Sequence, residues 1–549
     1  MVSRPTGAPL RVAGFVGVVG VVVALWLLGL VWFRPWIAHN DFAIFRIALE
    51  RELDGHVRLV GAHSRLDVFH PGPLREWVFA LPYWVSGRRA AALPATSLAL
   101  NVLWSVWILW LARRFRPRAW GAACAAGLLV LAVALGADLA SPWNPHLAIL
   151  PMYLACWGAV SVLARGGEGW VACIVGASFT AQLHASALIL GGVLLATALV
   201  ALLAQRRWDR LAGAAGLGLL LWAGPIIDLR KGTDANLVRL GTVGADGASV
   251  GLGDAAGHVS RLVWPGTPLG RVTVRPSVEV LAGFHRWWLL LVVVVLIAAT
   301  WQAFRRSGTA ADVVADPPGD VAGRTETDAA RVGPVALPAA AGALAIGTLM
   351  VVIVSVSLFV EPAYRYLYGP LQAGAVFAVS VVAGFAAAAI EEAVGAPIPA
   401  WFVRVAVPVG LVAVVVTVPR LDATSEERAQ LDVEGAIASA LDARPDWRTV
   451  EAIPLGLVGA GDLDAEVLDV ALRDGVDARS RRTQLGLPAP IAVDGVFGVA
   501  MGPALECLLG HAGTEEVVRG TTASGETFGI VAVDRDSVAY ENCIGAPAA

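Results

Sequence analysis

Two short motifs near the start of the chain carry side chains capable of acid–base chemistry. Asp41 lies in the string HNDF, and His70 lies in the string FHPGPL. A carboxylate or an imidazole beside a hydroxyl group can remove its proton. Asp41 follows a long apolar segment, Val12 to Phe33, so it falls where a membrane surface would lie. We therefore predict Asp41 and His70 as catalytic residues, with Asp41 as the general base.

Both residues also have structural interpretations. Asp41 opens the segment DFAIFRIALEREL, which has the pattern of an amphipathic helix at a membrane interface, and Asp is a favoured N-cap. That role is compatible with catalysis. His70 stands beside prolines and a glycine, so it can equally be a turn or cap residue.

Four cations are candidates for binding a phosphate group. A guanidinium can bind phosphate oxygens through two parallel hydrogen bonds, whereas a lysine acts as a point charge. Spacing singles out none of the four, and Arg365 can alternatively pair with Glu361 or extend to the interface. The predicted phosphate-binding residues are Arg65, Arg75, Lys231 and Arg365.

Four polar turns can be distinguished between the apolar runs: the first is the loop 41–70, and three further turns at 141–146, 182–184 and 361–366 hold polar and aromatic side chains. Polar groups at membrane depth are costly and usually face a cavity or a partner. The alternatives are an aromatic belt, a helix cap for Asn144 and interhelical hydrogen bonds for Gln182 and His184. The residues predicted to line the site are Asn144, His146, Gln182, His184, Tyr364 and Tyr366.

The composition predicts a polytopic α-helical membrane protein that positions these turns. The 549 residues are 57% hydrophobic and 15% charged, with a mean hydropathy of +0.67. Soluble proteins contain about 25% charged residues. Arg4 and Arg11 predict a cytoplasmic N-terminus and a retained first helix, which places the polar turns outside. About eleven spans are predicted: 12–33, 93–112, 119–137, 146–164, 169–184, 186–204, 211–228, 287–304, 335–359, 367–389 and 400–418.

Charge divides the chain into two domains. From Arg420 onward 22 acidic residues face ten basic ones, a net charge of -12, whereas the remainder carries +9. We predict a transmembrane domain over 1–419 and an extracytoplasmic α/β domain over 420–549. Residues 34–92 form the first external loop, in which Pro73 to Ser86 is a juxtamembrane or re-entrant helix. Residues 305–334, rich in Ala, Asp, Gly and Pro, are predicted to be a disordered cytoplasmic loop.

The five cysteines fall into two groups. Cys124, Cys156 and Cys173 lie in apolar runs and are interpreted as buried thiols. Cys507 and Cys543 lie in the tail, where an oxidising compartment permits a disulfide, although sequence alone does not fix the pairing. No HxxxH or CxxC spacing predicts a metal site, and no motif indicates nucleic-acid binding.

The order of parts resembles the GT-C superfamily of membrane glycosyltransferases, which use polyprenyl-phosphate sugars. The shared pattern is a first span, an external loop that begins with an acidic residue, a helical bundle and often an extracytoplasmic domain. The segment from His63 to Leu74 resembles bacterial members with an HPGPL-type motif, distantly similar to protein mannosyltransferases and arabinosyltransferases. The layout match covers about the first 230 residues. A second acidic residue, which often adjoins the first, is absent beside Asp41.

The resemblance implies an inverting sugar transfer in a bacterial plasma membrane. Asp41 takes the place of the family's catalytic aspartate, the donor is a polyprenyl-phosphate sugar, and the acceptor is a glycan, lipid or protein of the cell envelope. No cofactor is predicted, and a divalent metal stays an open alternative. The competing interpretation is a secondary transporter or flippase of a lipid-linked or small polar substrate, which would place polar residues in broken helices near the membrane centre.

Overall fold

The computed structural model describes the chain from residue 41 with several gaps. Described are residues 41–64, 68–165, 167–242, 249–264, 285–314, 336–359, 364–399, 407–417, 425–455, 463–473, 476–479, 494–501, 503–521 and 527–534, and the single positions 29, 36, 38, 401, 402, 405 and 543. The predicted first span, 12–33, therefore lies outside the described residues except for position 29.

Helices account for most of this part of the chain. In chain order they are α1 (Asp41–Leu53), α2 (Leu74–Val85), α3 (Ala92–Ala112), α4 (Arg118–Leu135), α5 (Asn144–Leu147), α6 (Ile149–Ala164), α7 (Trp170–Leu183), α8 (Leu188–Ala204), α9 (Trp208–Leu221), α10 (Ala223–Asp228), α11 (Asn236–Thr242), α12 (Gly251–Leu262), α13 (Arg286–Val314), α14 (Leu337–Ser357), α15 (Gly369–Val394), α16 (Val407–Thr417), α17 (Ser425–Asp442), α18 (Leu463–Arg473) and α19 (Pro503–Leu509).

Several of these helices are long and apolar enough to cross a bilayer. Among the described residues there are seven, or up to eight if one bent pair counts as a span. They cover seven of the eleven predicted spans: those at 93–112, 119–137, 146–164, 186–204, 287–304, 335–359 and 367–389. The chain is thus a polytopic α-helical membrane protein, as its composition predicts.

Two other predicted spans contain shorter helices. The span predicted at 169–184 is the 14-residue helix α7, and that at 400–418 contains the 11-residue helix α16. At 1.5 Å per residue both helices are shorter than the roughly 30 Å hydrocarbon layer.

The disordered cytoplasmic loop predicted at 305–334 is wrong at its start, because α13 continues to Val314. Residues 315–335 lie outside the described part.

The span predicted at 211–228 is wrong as a continuous helix, because the chain bends by 65° between Trp208–Leu221 and Ala223–Asp234. The cause is Pro225, which has no N–H to donate to the carbonyl oxygen of Leu221 and whose ring disfavours a regular helix there. Gln182 supplies the missing donor, since its Nε2 lies 2.8 Å from that oxygen. The bend therefore leaves no unpaired carbonyl at this position.

A five-stranded sheet forms the core of the C-terminal domain. Its strands are β1 (Thr449–Leu455), β2 (Asp477–Arg479), β3 (Gly495–Met501), β4 (Thr514–Thr521) and β5 (Thr527–Asp534), in the order β2-β1-β3-β5-β4. β1 is parallel to β2 and β3, and β5 is antiparallel to β3 and β4. The predicted α/β character of the tail is thus present.

Contacts divide the chain into two compact units. The helical unit includes Leu59–Arg75 and Pro94–Arg420, and the sheet unit includes Leu28–Arg58, Glu76–Leu93 and Leu421–Ala549. The tail is therefore joined in its unit by two earlier segments, one of which carries α1. Ala43 and Ile47 of α1 are buried in the same apolar cluster as Val467 and Ala471 of α18.

The position of α1 corrects its interpretation as a membrane-interface helix. Its apolar face packs on protein, so the alternation of apolar and charged residues reflects a domain core. The disulfide between Cys507 and Cys543 is confirmed, with 5.9 Å between their Cα atoms. Cys124, Cys156 and Cys173 are buried free thiols, as predicted.

Candidate active site

The segment that carries His70, residues 68–73, is held by backbone hydrogen bonds to the chain just before it. The His70 N–H donates to the Ala62 oxygen at 2.7 Å, and the Gly61 N–H donates to the His70 oxygen at 3.0 Å. The result is a short hairpin within the helical unit. We call residues 68–73 the His70 segment.

Gly72 of this segment lies directly against the end of α7. Its N–H donates to the backbone oxygen of Gln182 at 3.3 Å. A Cβ at position 72 would lie 2.0 Å from the Oε1 atom of Gln182, so glycine is the residue that fits. The glycine of the FHPGPL string thus permits close approach of two loops. Gln182 is explained by these contacts and by its bond to α9.

His70 and His184 form a buried pair of imidazoles with ring centroids 4.9 Å apart. The Nδ1 atom of His70 accepts a hydrogen bond from the Ala185 N–H at 3.2 Å. The Nδ1 atom of His184 accepts one from the Ser186 N–H at 3.3 Å. A nitrogen that accepts from an amide carries a lone pair, so in the neutral rings the proton resides on Nε2.

The electrostatics of the site favour a neutral His70. Burial is the main cause that lowers the pKa of His70 well below its ordinary value, with smaller contributions from His184, Arg75 and His63. A neutral His70 with its proton on Nε2 is a hydrogen-bond donor at that atom. It has no lone pair there with which to act as a base.

Arg75 and Asn144 bring the second polar turn to the first. Both side chains are buried, and Nη1 of Arg75 donates to Oδ1 of Asn144. The alternative role of Asn144 as a helix cap is not observed, because no side-chain cap bond forms at the start of α5. The bond to Asn144 holds the guanidinium of Arg75 at this turn.

The fourth polar turn reaches the second and third through its aromatic rings. The ring of Tyr366 lies 5.3 Å from that of Trp143 and 6.3 Å from that of His184. Tyr364 stacks on Tyr366 with 6.0 Å between centroids. Arg365, between the two tyrosines, is half-buried at the start of a short 3-10 turn that leads into α15.

Asp138 and His146 form a second acid–base pair in the helical unit. The Oδ1 atom of Asp138 lies 3.8 Å from Nδ1 of His146, which is fully buried. Asp138 stands in the short turn between α4 and α5. Desolvation by burial raises the pKa of its carboxyl group to about 7. A carboxylate with that pKa is suited to exchange protons near neutral pH.

The remaining predicted site residues either make none of these contacts or lie outside the described part of the chain. Lys231 is exposed, and its ammonium group lies 2.7 Å from Oδ1 of the buried Asp228. Asp41 is exposed at the first position of α1, in the sheet unit. Arg65 lies outside the described residues.

Three residues near the site were not predicted from the sequence. Asn236 bonds to the backbone of the His70 segment, and Asp228 accepts a hydrogen bond from the Asn236 N–H. Tyr368 shares a 2.6 Å hydrogen bond with Nδ1 of His258, which joins the fourth turn to α12. Each is a single polar residue outside the motifs noted in the sequence, and such a residue does not reveal its partner.

One group of three potential metal ligands occurs among the described residues. Cys507, His511 and Cys543 offer ligand atoms that lie within 4.8 Å of one another. Both sulfur atoms are joined in the disulfide, so they are not thiolates available to a metal. This group lies in the sheet unit, which does not contain His70.

Comparisons with known proteins complete the description. No family model matches the chain, and no curated protein matches it. Among solved structures, the chain is similar to the crystal structure of ArnT from Cupriavidus metallidurans in the apo state. The TM-score is 0.49 and the sequence identity 14%, with 97% of this chain and 99% of that chain covered.

Proposed function

We propose that this membrane protein is a glycosyltransferase that uses a polyprenyl-phosphate sugar as donor. The acceptor is a hydroxyl group of an extracytoplasmic glycan, lipid or protein, and the transfer proceeds with inversion. The observation that carries the proposal is the mutual contact of four polar turns that are distant in sequence. His70, Asn144, His184 and Tyr366 each belong to a different turn.

The donor set of this cluster suits a phosphate ester. His70 and His184 each present an N–H at Nε2, and Arg75 adds a buried cation nearby. Hydrogen-bond donors and cations stabilise the charge that develops on a leaving phosphate oxygen. The HPGPL-type string in the first loop supports the same substrate class by its resemblance to polyprenyl-phosphate-dependent enzymes.

The reaction is a displacement at the anomeric carbon. A carboxylate removes the proton from the acceptor hydroxyl while the acceptor oxygen bonds to the carbon. The bond between that carbon and the phosphate oxygen breaks, and its electron pair leaves with the phosphate. His70 acts in this scheme as a hydrogen-bond donor to the leaving group. This role as a donor is more specific than the catalytic role predicted for His70 from the sequence.

Two carboxylates are candidates for the base. Asp41 is favoured by the resemblance, and it is exposed. Asp138 is favoured by its environment, because burial raises the pKa of its carboxyl group to about 7. Two further carboxylates, Asp67 in the first loop and Glu361 beside the predicted site residue Tyr364, lie outside the described residues.

The test is transfer from a panel of radiolabelled polyprenyl-phosphate sugars by the purified full-length protein in nanodiscs. Loss of a general base lowers the rate by about 10²- to 10⁴-fold. If Asp41 is the base, Asp41→Asn folds and binds donor but loses transfer, whereas Asp138→Asn retains most activity. The reverse result assigns the base to Asp138. Absence of transfer from every donor in the panel would refute the proposed function.

The pH profile separates the two bases independently. A base must be deprotonated, so with Asp138 as the base kcat/KM rises with pH and levels off above about 7. The stability effect has the opposite sign. Since folding raises the pKa of Asp138 above its ordinary value of 3.8, its contribution to stability is lost as the pH rises from about 4 to about 7. Asp138→Asn removes both dependences.

A further inference from the structure

The His70 segment is fixed at its backbone by one amide side chain from elsewhere in the helical unit. Oδ1 of Asn236 accepts from the Phe69 N–H at 2.9 Å. Nδ2 of the same side chain donates to the backbone oxygens of Phe69 at 2.9 Å and of His70 at 3.3 Å. The amide therefore pairs with the segment in the way a neighbouring strand would.

Asn236 is itself fixed by a buried carboxylate. Its N–H, the first of α11, donates to Oδ2 of Asp228 at 2.7 Å. Both side chains are buried, with 2% of Asp228 and 5% of Asn236 exposed. A buried carboxylate is costly unless it is paired. The second oxygen of Asp228 lies 2.7 Å from the ammonium group of Lys231, which supplies that pairing.

The bend before α10 places these residues. Gly224 follows the bend, and a Cβ there would lie 3.0 Å from Cγ of Pro73 and 3.1 Å from the Leu59 oxygen. The chain between α9 and α11 thus lies against both ends of the loop that carries His70. A continuous helix over 211–228 would direct Asp228 away from Asn236. The bend at Trp222 therefore helps to fix the segment that carries the His70 imidazole.

We propose that Asn236, held by Asp228, is the positioning residue for the His70 imidazole. The proposal rests on the proposed function insofar as His70 donates to the leaving phosphate. Asn236 contacts the backbone of residues 69 and 70 and acts on the substrate only through His70. Asp228 also pairs with the exposed Lys231, so one buried carboxylate fixes both Asn236 and that lysine.

Hydrogen–deuterium exchange of the full-length protein tests the positioning without any substrate. In Asn236→Ala the Phe69 amide loses its acceptor, and its exchange should accelerate about fivefold to tenfold, the worth of one hydrogen bond. Asn101→Ala is the matched control. It removes another buried amide, which donates to the Leu139 oxygen at 2.8 Å, and should leave the Phe69 amide unchanged. Unchanged exchange in Asn236→Ala would overturn the proposal.

A pair of variants at position 228 tests the second link. Asp228→Asn retains an oxygen that can accept from the Asn236 N–H, so exchange at Phe69 should stay close to that of the parent. Asp228→Leu has a similar size but no acceptor, and should show the acceleration seen with Asn236→Ala. Equal exchange at Phe69 in both variants would show that Asp228 does not help Asn236 to fix the His70 segment.

Kinetics distinguish positioning from mere support of the fold. A misplaced imidazole lowers kcat by about tenfold to 100-fold in Asn236→Ala, whereas the donor KM stays within about twofold of the parent. Rates are normalised to monodisperse folded protein. An unchanged kcat despite faster exchange at Phe69 would overturn the positioning role. If the parent transfers no sugar at all, the proposed function fails, while the exchange result still decides whether Asn236 fixes the segment.

Discussion

Buried charged and polar groups occur in both units, but they are satisfied in different ways. In the sheet unit Arg46 and Asp469 are each 1% exposed and lie 3.1 Å apart. Tyr83 donates to Glu50 at 2.7 Å and receives the Nε hydrogen of Arg46 at 3.3 Å. These groups bind one another. Such a network stabilises one arrangement of the chain and offers nothing to a ligand.

Around His70 the arrangement differs. The hydrogen bonds of His70 and His184 are made through Nδ1: both rings accept from main-chain N–H groups, and His184 also bonds to the Ser186 hydroxyl at 2.7 Å. Their Nε2 atoms have no hydrogen-bond partner among the described residues. Backbone bonds fix the rings and their tautomer, which leaves a donor on each ring for another molecule. The comparison suggests a rule for this chain: mutual pairing marks structure, and one-sided pairing marks a site.

The largest expected effect lies in the paired network. Arg46→Met leaves Asp469 buried without its cation, and removing one partner of a buried pair costs about 3–5 kcal/mol. The free energy of unfolding of the sheet unit, from exchange at β1 in denaturant, should fall by that amount. The double variant Arg46→Met/Asp469→Leu should recover most of it. If the single and double variants are equally unstable, the pair is not what stabilises this unit.

The donor-free variant His70→Phe should lose catalysis and leave the stability of the sheet unit unchanged. Removal of one donor to a developing oxyanion lowers kcat by about 10²- to 10³-fold. Unfolding of the sheet unit should match the parent, because His70 belongs to the helical unit. Single-turnover transfer measures the first quantity and exchange at β1 the second. Parent-like transfer by His70→Phe would contradict the donor role of His70 and with it the rule.

The disulfide adds a covalent constraint to the sheet unit. Cys507 and Cys543 are 36 positions apart, and a crosslink of that span contributes about 3–4 kcal/mol in the loop-entropy account. Cys507→Ser should lower the Tm of the sheet unit accordingly. Mass mapping of the parent without reductant should recover the linked peptide. Two free thiols in fresh protein would refute the bond.

Arg365→Lys should give the smallest effect. It keeps the charge but loses the planar fork that suits a phosphate group. We expect the donor KM to rise about tenfold, the value of one charge-assisted hydrogen bond, with kcat little changed. Arg365→Ala removes both the charge and the fork, so it measures the full contribution of this side chain to donor binding. An unchanged KM in Arg365→Ala would exclude Arg365 from donor binding.

The sequence predicts local features of this molecule well and long-range ones poorly. Apolar runs of about 20 residues predict seven helices, because a bilayer demands that length. The string FHPGPL marks a special loop. Nothing local predicts that Asn236 would bond to Phe69 across 167 positions, since a lone asparagine fits many roles. The error at α1 has the same origin, because an amphipathic face does not declare whether lipid or protein covers it.

The burial of α1 against α18 also imposes an order on biosynthesis. Ala43 and Ile47 leave the ribosome early, but Val467 and Ala471, with which they share a core, follow about 400 residues later. At about 5–20 residues per second, α1 waits roughly 20–80 seconds for its partner. During that interval its apolar face is a binding surface for chaperones and a hazard for aggregation. Truncation of the C-terminal residues should therefore impair the nascent protein from its first loop onward.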